Sequence, residues 1–108
     1  MQTHQRILHG DAARLDGLAD GSVDLVVTSP PYPMVSMWDE GFAEADPDVA
    51  RALAAEDGPA AFEAMHRSLD LAWAAAVRTL KPGGLLCVNI GDAVRTIGGR
   101  FRLFPNHA

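Results

Sequence analysis

Three stretches of the chain have hydrophobic patterns typical of β-strands. Residues 23–28 are rich in β-branched side chains, and the two prolines that follow cannot continue a hydrogen-bonded ladder. Residues 85–90 are apolar almost throughout, as expected for a parallel strand with helices over both faces. Residues 5–8 predict a further short strand, which ends at residues 9–11.

Two segments between these strands have the spacing of amphipathic helices. In residues 12–19, Leu15 and Leu18 lie three positions apart, which predicts a short helix closed by a Gly-containing turn. The second helix is longer, and Lys-Pro-Gly-Gly at 81–84 predicts a tight turn at its end. Its apolar stripe consists of Phe62, Met65, Leu69, Trp73, Ala76 and Leu80.

The remaining residues show weaker patterns. Residues 33–58 are predicted to be an irregular, acidic insertion with one short helix over 47–55, where Pro47 suits the first turn. Residues 91–108 predict a loop that contains two adjacent glycines. The alternation of strands and helices is the α/β pattern. Three strands are fewer than a doubly wound domain uses, so we expect residues 1–108 to be the front part of one larger domain, without a second domain.

Composition and charge narrow the possible partners. The 108 residues carry 9 Lys and Arg against 14 Asp and Glu, a net charge of −5, so bulk charge does not favour nucleic-acid binding. Neither a membrane span nor a secretory signal is expected, since no apolar run is long enough and no basic segment precedes one. The single cysteine agrees with a reducing compartment, and we expect a cytoplasmic protein.

The sequence Thr-Ser-Pro-Pro-Tyr at 28–32 is the strongest candidate for a site. It follows the clearest strand, and open α/β sheets bind ligands beyond the carboxyl ends of their strands. Pro30 and Pro31 stiffen an extended turn, which fixes the Ser29 hydroxyl, outward-pointing carbonyls and the Tyr32 ring. Hydrogen-bond acceptors beside a flat aromatic face suit a planar ring that bears an exocyclic NH2. The alternative is a stiff loop with Tyr32 packed on the sheet edge.

This motif and its surroundings resemble the amino-methylating DNA methyltransferases, which transfer methyl from S-adenosylmethionine to cytosine N4 or adenine N6. The resemblance implies a partial doubly wound, Rossmann-like S-adenosylmethionine-dependent methyltransferase fold. It also implies that double-stranded DNA is the substrate. The segments that carry the likeness are 9–11, Leu15, Leu18, 21–40, 62–66, 80–84, 89–92 and 101–107.

The resemblance assigns roles to individual residues. Ser29 and the Pro30 carbonyl would accept hydrogen bonds from the target amine, Pro31 would keep the loop rigid, and Tyr32 would stack on a flipped-out base. A serine at the first position is more typical of the cytosine-modifying members, so cytosine N4 is favoured over adenine N6. Asp11 would accept a hydrogen bond from the adenine amino group of the cofactor; its alternative role is a helix N-cap.

Other polar residues predict structural roles. His66 falls on the apolar stripe, which favours a buried, hydrogen-bonded imidazole over a catalytic one. Asn89 and Asp92 close the third strand, where they are predicted to cap a loop, with a ligand role as the alternative. Cys87 lies inside an apolar strand, so methylation at carbon 5, which needs a cysteine nucleophile, is disfavoured. No metal site is predicted, because the histidines and Cys87 lack metal-ligand spacing.

The family's main cofactor motif, Phe-x-Gly-x-Gly after a strand, is absent from this sequence. Only 28 residues precede Ser29, too few for a cofactor unit, so the chain fits the subgroup in which that motif follows the catalytic loop. We therefore expect residues 1–108 to be inactive without a carboxyl-terminal part or a partner subunit. The alternatives are a non-catalytic remnant or one subunit of a split methyltransferase. An RNA or protein-amide methyltransferase is less favoured.

Overall fold

Helices and two small sheets make up the molecule in a computed structural model that describes residues 1–108. Each sheet has two strands, one pair parallel and the other antiparallel. None of the helices has the length and apolarity that crossing a membrane requires. In chain order the elements are β1 (Val23–Thr28), a 3₁₀ turn (Ser36–Trp38), α1 (Asp39–Ala45), α2 (Pro47–Ala54), α3 (Gly58–Thr79), β2 (Leu80–Val88), β3 (Ala93–Ile97) and β4 (Arg100–Phe104).

The parallel pair confirms the two clearest predicted strands. β1 and β2 are aligned with Leu25 opposite Leu85 and Val27 opposite Cys87, and the helical segments connect them. β2 begins earlier than predicted, at Leu80, but its register against β1 shifts before Leu85. The predicted Lys-Pro-Gly-Gly turn is this irregular stretch, and its Gly83 has a φ of +80°.

The two predicted helices of the middle segment are also confirmed. α2 begins after Asp46, whose carboxylate accepts a hydrogen bond from the Asp48 backbone N–H at 2.9 Å. α3 begins after Asp57, which accepts from the Ala60 N–H at 3.1 Å in the same way. Both helices carry a proline in the first turn, where no N–H is needed.

The hydrophobic core lies among the three α-helices and the antiparallel hairpin. Met65 of α3 and Val49 of α2 are completely buried. Burial of such side chains contributes about 1.5–3 kcal/mol each relative to exposure. The core cluster consists of Met34, Phe42, Val49, Ala52, Ala61, Ala64, Met65, Leu69, Ala93 and Phe104.

The prediction for the amino-terminal residues is wrong. Residues 5–8 form no strand, because no neighbouring strand pairs with them: residues 1–10 make no backbone hydrogen bond, and Ile7 is fully exposed. Residues 12–19 form turns and not a helix. The Asp11 carbonyl accepts from the N–H groups of Arg14 and Leu15, but Leu15 has a φ of +49°, which ends the helical turn.

Two further segments are more ordered than predicted. Residues 33–58 are not mainly irregular, since they contain the 3₁₀ turn and α1 as well as the predicted α2. Residues 91–108 are not a loop, because β3 and β4 pair as an antiparallel hairpin. Gly98 and Gly99 have φ values of +60° and +73°, and positive φ at both positions is what a type I′ hairpin turn requires.

One face of the parallel pair is open, contrary to the prediction of helices over both faces. Leu25, Val27 and Leu85 are 52%, 71% and 63% exposed, and Cys87 on the same face is exposed too. On the opposite face, Val26 and Leu86 are half-buried. Cys87 therefore lies in an apolar strand, as predicted, but not in an apolar interior.

Candidate active site

The segment Ser29–Tyr32 lies at the carboxyl end of the parallel pair. It follows β1 directly, and the Asn89 N–H donates to the Thr28 carbonyl at 2.9 Å, which extends the strand pairing to the start of the loop. Ser29 and Pro31 are exposed, whereas Pro30 and Tyr32 are half-buried. The loop thus exposes Ser29 to solvent directly after a hydrogen-bonded strand pair.

The two hydroxyl groups of the loop converge. Ser29 Oγ lies 3.4 Å from the Tyr32 OH, which is long for an O–H···O hydrogen bond. Neither hydroxyl is strongly engaged by the other, so both retain capacity to bond a ligand. The two hydroxyl groups therefore form a polar edge next to the Tyr32 ring.

The Tyr32 ring is placed by Gly91, in the segment that follows β2. A Cβ added at Gly91 would lie 3.1 Å from Tyr32 Cε2 and 3.4 Å from Cδ2. The ring therefore lies against the Gly91 backbone, and a larger residue at position 91 would crowd the ring. Because Tyr32 is only half-buried, part of its own surface stays open to solvent.

The chain after Tyr32 turns sharply into the core. The Val35 N–H donates to the Tyr32 carbonyl at 3.2 Å, and Met34 has a φ of +67°. Left-handed backbone at a non-glycine residue costs on the order of 1–3 kcal/mol. Burial sustains it, since Pro33 and Met34 are nearly inaccessible and the Met34 N–H points at Met65 Sδ, 3.3 Å away.

Asn106, which the sequence analysis missed, joins three segments behind the loop. Its Nδ2 donates to the carbonyls of Pro33 and Gly91, both at 2.9 Å, and its Oδ1 lies 3.0 Å from His66 Nε2. Asn106 is buried and His66 half-buried. The predicted hydrogen bond of His66 is confirmed, but the imidazole is half-buried and not buried as predicted. No local sequence pattern marks Asn106, because its partners lie 15, 40 and 73 residues away in the chain.

Asp92 caps the carboxyl-terminal turn, as predicted. Its Oδ1 accepts from the His107 backbone N–H at 3.1 Å and from the ring Nδ1 at 2.8 Å. The hydrogen bonds from His107 hold the pKa of the Asp92 carboxyl below its ordinary value. Asn89 does not cap a loop, contrary to the prediction: its exposed side chain makes no hydrogen bond, and its backbone N–H extends the strand pairing.

Asp11 lies apart from the loop, in an exposed turn. Its Oδ1 accepts from the Ala13 N–H at 2.8 Å, so it caps a turn, although no helix follows. Its other carboxylate oxygen has no partner, and it lines an open cleft of about 690 Å³ whose apolar walls include Leu8, Leu15 and Leu18. The cleft therefore combines one free carboxylate oxygen with apolar walls.

Arg78 fastens these amino-terminal turns to the end of α3. Its guanidinium donates to the carbonyls of Leu18 at 3.0 Å, Leu15 at 3.0 Å and Arg14 at 3.2 Å, and to Asp20 Oδ1 at 2.6 Å. The sequence analysis did not single it out, since the partners lie about 60 residues earlier. No three His, Cys, Asp or Glu side chains are grouped to hold a metal ion.

Comparison with known proteins gives consistent matches. A family model described as DNA methylase matches residues 23–104. The chain is 45% identical over 108 residues to the Type II methyltransferase M.MthZI of Methanothermobacter thermautotrophicus, covering 99% of this chain and 30% of that protein. It is 43% identical over 121 residues to the Type II methyltransferase M.MjaI of Methanocaldococcus jannaschii, covering 98% and 39%.

A third relative is named for a different activity. The chain is 37% identical over 103 residues to the release factor glutamine methyltransferase of Caulobacter vibrioides, covering 94% of this chain and 33% of that protein. The chain thus spans about a third of the length of these relatives. No solved structure matches it.

Proposed function

Because this chain belongs to the DNA methylase family of the N4/N6 type, we propose that it carries the catalytic loop of an enzyme that methylates the exocyclic amino group of a DNA base. Members of this family generally use S-adenosylmethionine as the methyl donor. Cytosine N4 is the favoured target over adenine N6, because Ser29 begins the loop. The observation that carries the proposal is the convergence of Ser29 Oγ and the Tyr32 ring at the carboxyl end of a parallel strand.

The loop's own chemistry is that of an acceptor pair. Ser29 Oγ and the Pro30 carbonyl accept the two N–H groups of the target amine, whose lone pair is otherwise delocalised into the base. Both bonds draw the nitrogen towards tetrahedral geometry and so localise the lone pair. When bound, S-adenosylmethionine would supply an electrophilic methyl group on its sulfonium, and Ser29 Oγ and the Pro30 carbonyl would hold the amine that receives it. Positioning and electrostatics supply most of the acceleration.

Tyr32 stacks on the target base, which must leave the duplex to reach the loop. Its half-buried ring, supported by Gly91, offers a rigid aromatic surface. Stacking of a base on an aromatic side chain contributes about 1–3 kcal/mol. Pro31 keeps the acceptors and the ring in one rigid unit.

Asp11 accepts a hydrogen bond from the adenine amino group of the cofactor. Its unpartnered carboxylate oxygen and the apolar walls of its cleft support this role. The Phe-x-Gly-x-Gly motif is absent from residues 1–108, so the other contacts to the cofactor come from outside these residues.

Residues 1–108 form one incomplete domain of a Rossmann-like, doubly wound fold. A parallel strand pair with helices between is the unit of such folds. The radius of gyration is 16.1 Å, against about 13 Å for a compact chain of this length, and one sheet face is open. A carboxyl-terminal part or a partner subunit completes the domain, and double-stranded DNA is the substrate.

Transfer of labelled methyl to DNA tests the proposal. The purified 108-residue chain is expected to show no transfer. The full-length product of its gene is expected to yield N4-methylcytosine, and Ser29→Ala should lower kcat by about 10²–10³. Ser36→Ala, at an exposed serine outside the loop, is the matched control. Full activity of Ser29→Ala would overturn the role of the loop.

The similarity to a release factor glutamine methyltransferase supports a second candidate, methylation of a protein amide. The same labelling experiment with a release factor as acceptor separates the two, since a protein-amide enzyme would label it and not DNA. If the gene ends at residue 108, activity only after mixing with a second subunit identifies a split enzyme. Inactivity in every mixture identifies a remnant.

A further inference from the structure

We propose that Asn106 is a positioning residue that sets where the Tyr32 ring lies, and that His66 fixes the orientation of its amide. This inference rests on the function proposed for the loop Ser29–Tyr32. Asn106 makes no hydrogen bond with Ser29 or Tyr32; it acts through the backbone of Pro33 and Gly91.

One nitrogen atom holds both of these backbone segments. Asn106 Nδ2 donates to the carbonyl of Pro33, the residue after Tyr32, and to the carbonyl of Gly91, against which the ring lies. A primary amide has two N–H donors, so these bonds use both. The distance between the loop exit and Gly91 is therefore set by the amide.

His66 gives the amide only one orientation. With both N–H groups donated to carbonyls, Oδ1 is left to accept, and the 3.0 Å contact requires His66 Nε2 to carry a proton. The imidazole is held edge-on by Phe62, with ring centroids 4.5 Å apart. Rotation of the amide would place Oδ1 against a carbonyl oxygen, so the three bonds stand together.

The hairpin delivers Asn106 to this position. Its N–H donates to the carbonyl of Phe104, which ends β4 in the core. The clearance at the ring is small, since a single Cβ at Gly91 would lie 3.1 Å from Tyr32. A displacement of either segment by a few tenths of an ångström therefore moves the ring.

A fluorine label at Tyr32 tests the proposal without any need for activity. Tyr32 is the single tyrosine of the chain, so 3-fluorotyrosine gives one ¹⁹F resonance that reports on this ring. Asn106→Asp keeps the shape and the acceptor for His66 but replaces both donors with an oxygen facing two carbonyls. We expect the ¹⁹F resonance of Asn106→Asp to shift or split, while its circular dichroism spectrum still shows the helices of the wild type. Asn89→Asp is the matched control, since the exposed Asn89 side chain makes no hydrogen bond, and its resonance should stay in place.

Variants at His66 keep the test decisive if Asn106→Asp does not fold. His66→Gln retains an N–H donor and should leave the resonance unchanged, whereas His66→Leu removes the donor and should shift it. A folded Asn106→Asp with an unchanged resonance, or equal spectra for the two His66 variants, would overturn the proposal.

Kinetics of the full-length product connect positioning to chemistry. A ring displaced by about 1 Å lowers kcat by up to about 100-fold. KM for S-adenosylmethionine should not change, because Asn106 does not face the Asp11 cleft. If Ser29→Ala were fully active, the methyl-transfer proposal would fail while the ¹⁹F result still decided the positioning role. A shifted resonance with wild-type kcat would overturn the link to catalysis.

Discussion

The molecule has two regions that are organised to very different degrees. The packed region comprises α1–α3, the hairpin and the loop residues Pro33 and Met34, which share one core. The open region comprises residues 1–22 and the exposed face of β1 and β2. The loop Ser29–Tyr32 lies at their boundary. Its following residues are fixed by the core and by Asn106, whereas the turns that precede β1 depend on Arg78, whose side chain is 35% exposed.

This difference matches the division of labour in the proposed reaction. The base-binding side of the site, with Tyr32, is backed by buried contacts within residues 1–108. The cofactor side, with Asp11, is a surface cleft next to a segment without backbone hydrogen bonds. In the proposed reaction, the chain therefore supplies an ordered acceptor loop but only one edge of the cofactor site.

The largest expected effect compares the same substitution in the two regions. Leu69→Ala removes a side chain that is 6% exposed in the core, and we expect it to lower the free energy of unfolding by about 2–5 kcal/mol. Leu85→Ala, at a site 63% exposed, should cost less than about 0.5 kcal/mol. Urea denaturation followed by circular dichroism measures both. Equal losses would mean that the sheet face is covered in solution, for instance by a second copy.

The same division explains how much of the fold could be predicted from the sequence. β1, α2, α3 and β2 follow from local signals: β-branched runs, capping Asp residues before proline, and an apolar stripe. The predictions of a strand at 5–8 and a helix at 12–19 were wrong because such short elements need neighbours. No other strand within residues 1–108 pairs with residues 5–8. The segment Ser29–Tyr32 follows β1 directly, as predicted, whereas its role in catalysis stays a prediction.

Two missed elements did have local signals. Residues 94–97 contain three β-branched side chains and residues 100–103 alternate between polar and apolar, and a two-glycine turn between two such runs predicts a hairpin. Asp39 and Glu40 begin α1, where acidic residues favour a helix amino terminus. Asn106 and Arg78 had none, because their bonds join segments that only the folded chain brings together.

A second prediction compares Arg95, which bonds within the packed region, with Arg78, which lies at the end of α3 and bonds the open region. Arg95 makes a two-pronged bond with Asp39 at 2.8 and 2.7 Å, and both side chains are at least three-quarters buried. The hydrogen bonds to Asp39 raise the pKa of Arg95, so the guanidinium stays charged. Arg95→Lys cannot bond both oxygens in this planar geometry and should cost about 1–2 kcal/mol in urea denaturation.

Arg78→Lys should cost less than about 1 kcal/mol globally, since its ion pair with Asp20 is exposed to solvent. Its effect should be local, as faster hydrogen exchange at the Leu18 to Ser22 turn without change in the core. A global loss for Arg78→Lys that matches Arg95→Lys would show that the amino-terminal turns belong to the packed region.

The smallest effect concerns acid, at the edge of the packed region. Hydrogen bonds from His107 lower the pKa of Asp92 in the folded state, so the unfolded chain binds a proton more readily. The stability that this contributes is present above the ordinary carboxyl pKa of about 3.9 and is lost as pH falls through the lowered folded value. His107→Ala removes the side-chain bond, which is the largest cause of the lowered pKa, but keeps the bond from the backbone N–H, so it weakens this dependence. Its free energy of unfolding should therefore fall less than that of the wild type between about pH 5 and about pH 2.

His4→Ala, in the open region, should behave as the wild type, because His4 makes no hydrogen bond. An acid loss in His107→Ala as large as in the wild type would show that Asp92 gains nothing from the His107 side chain on folding.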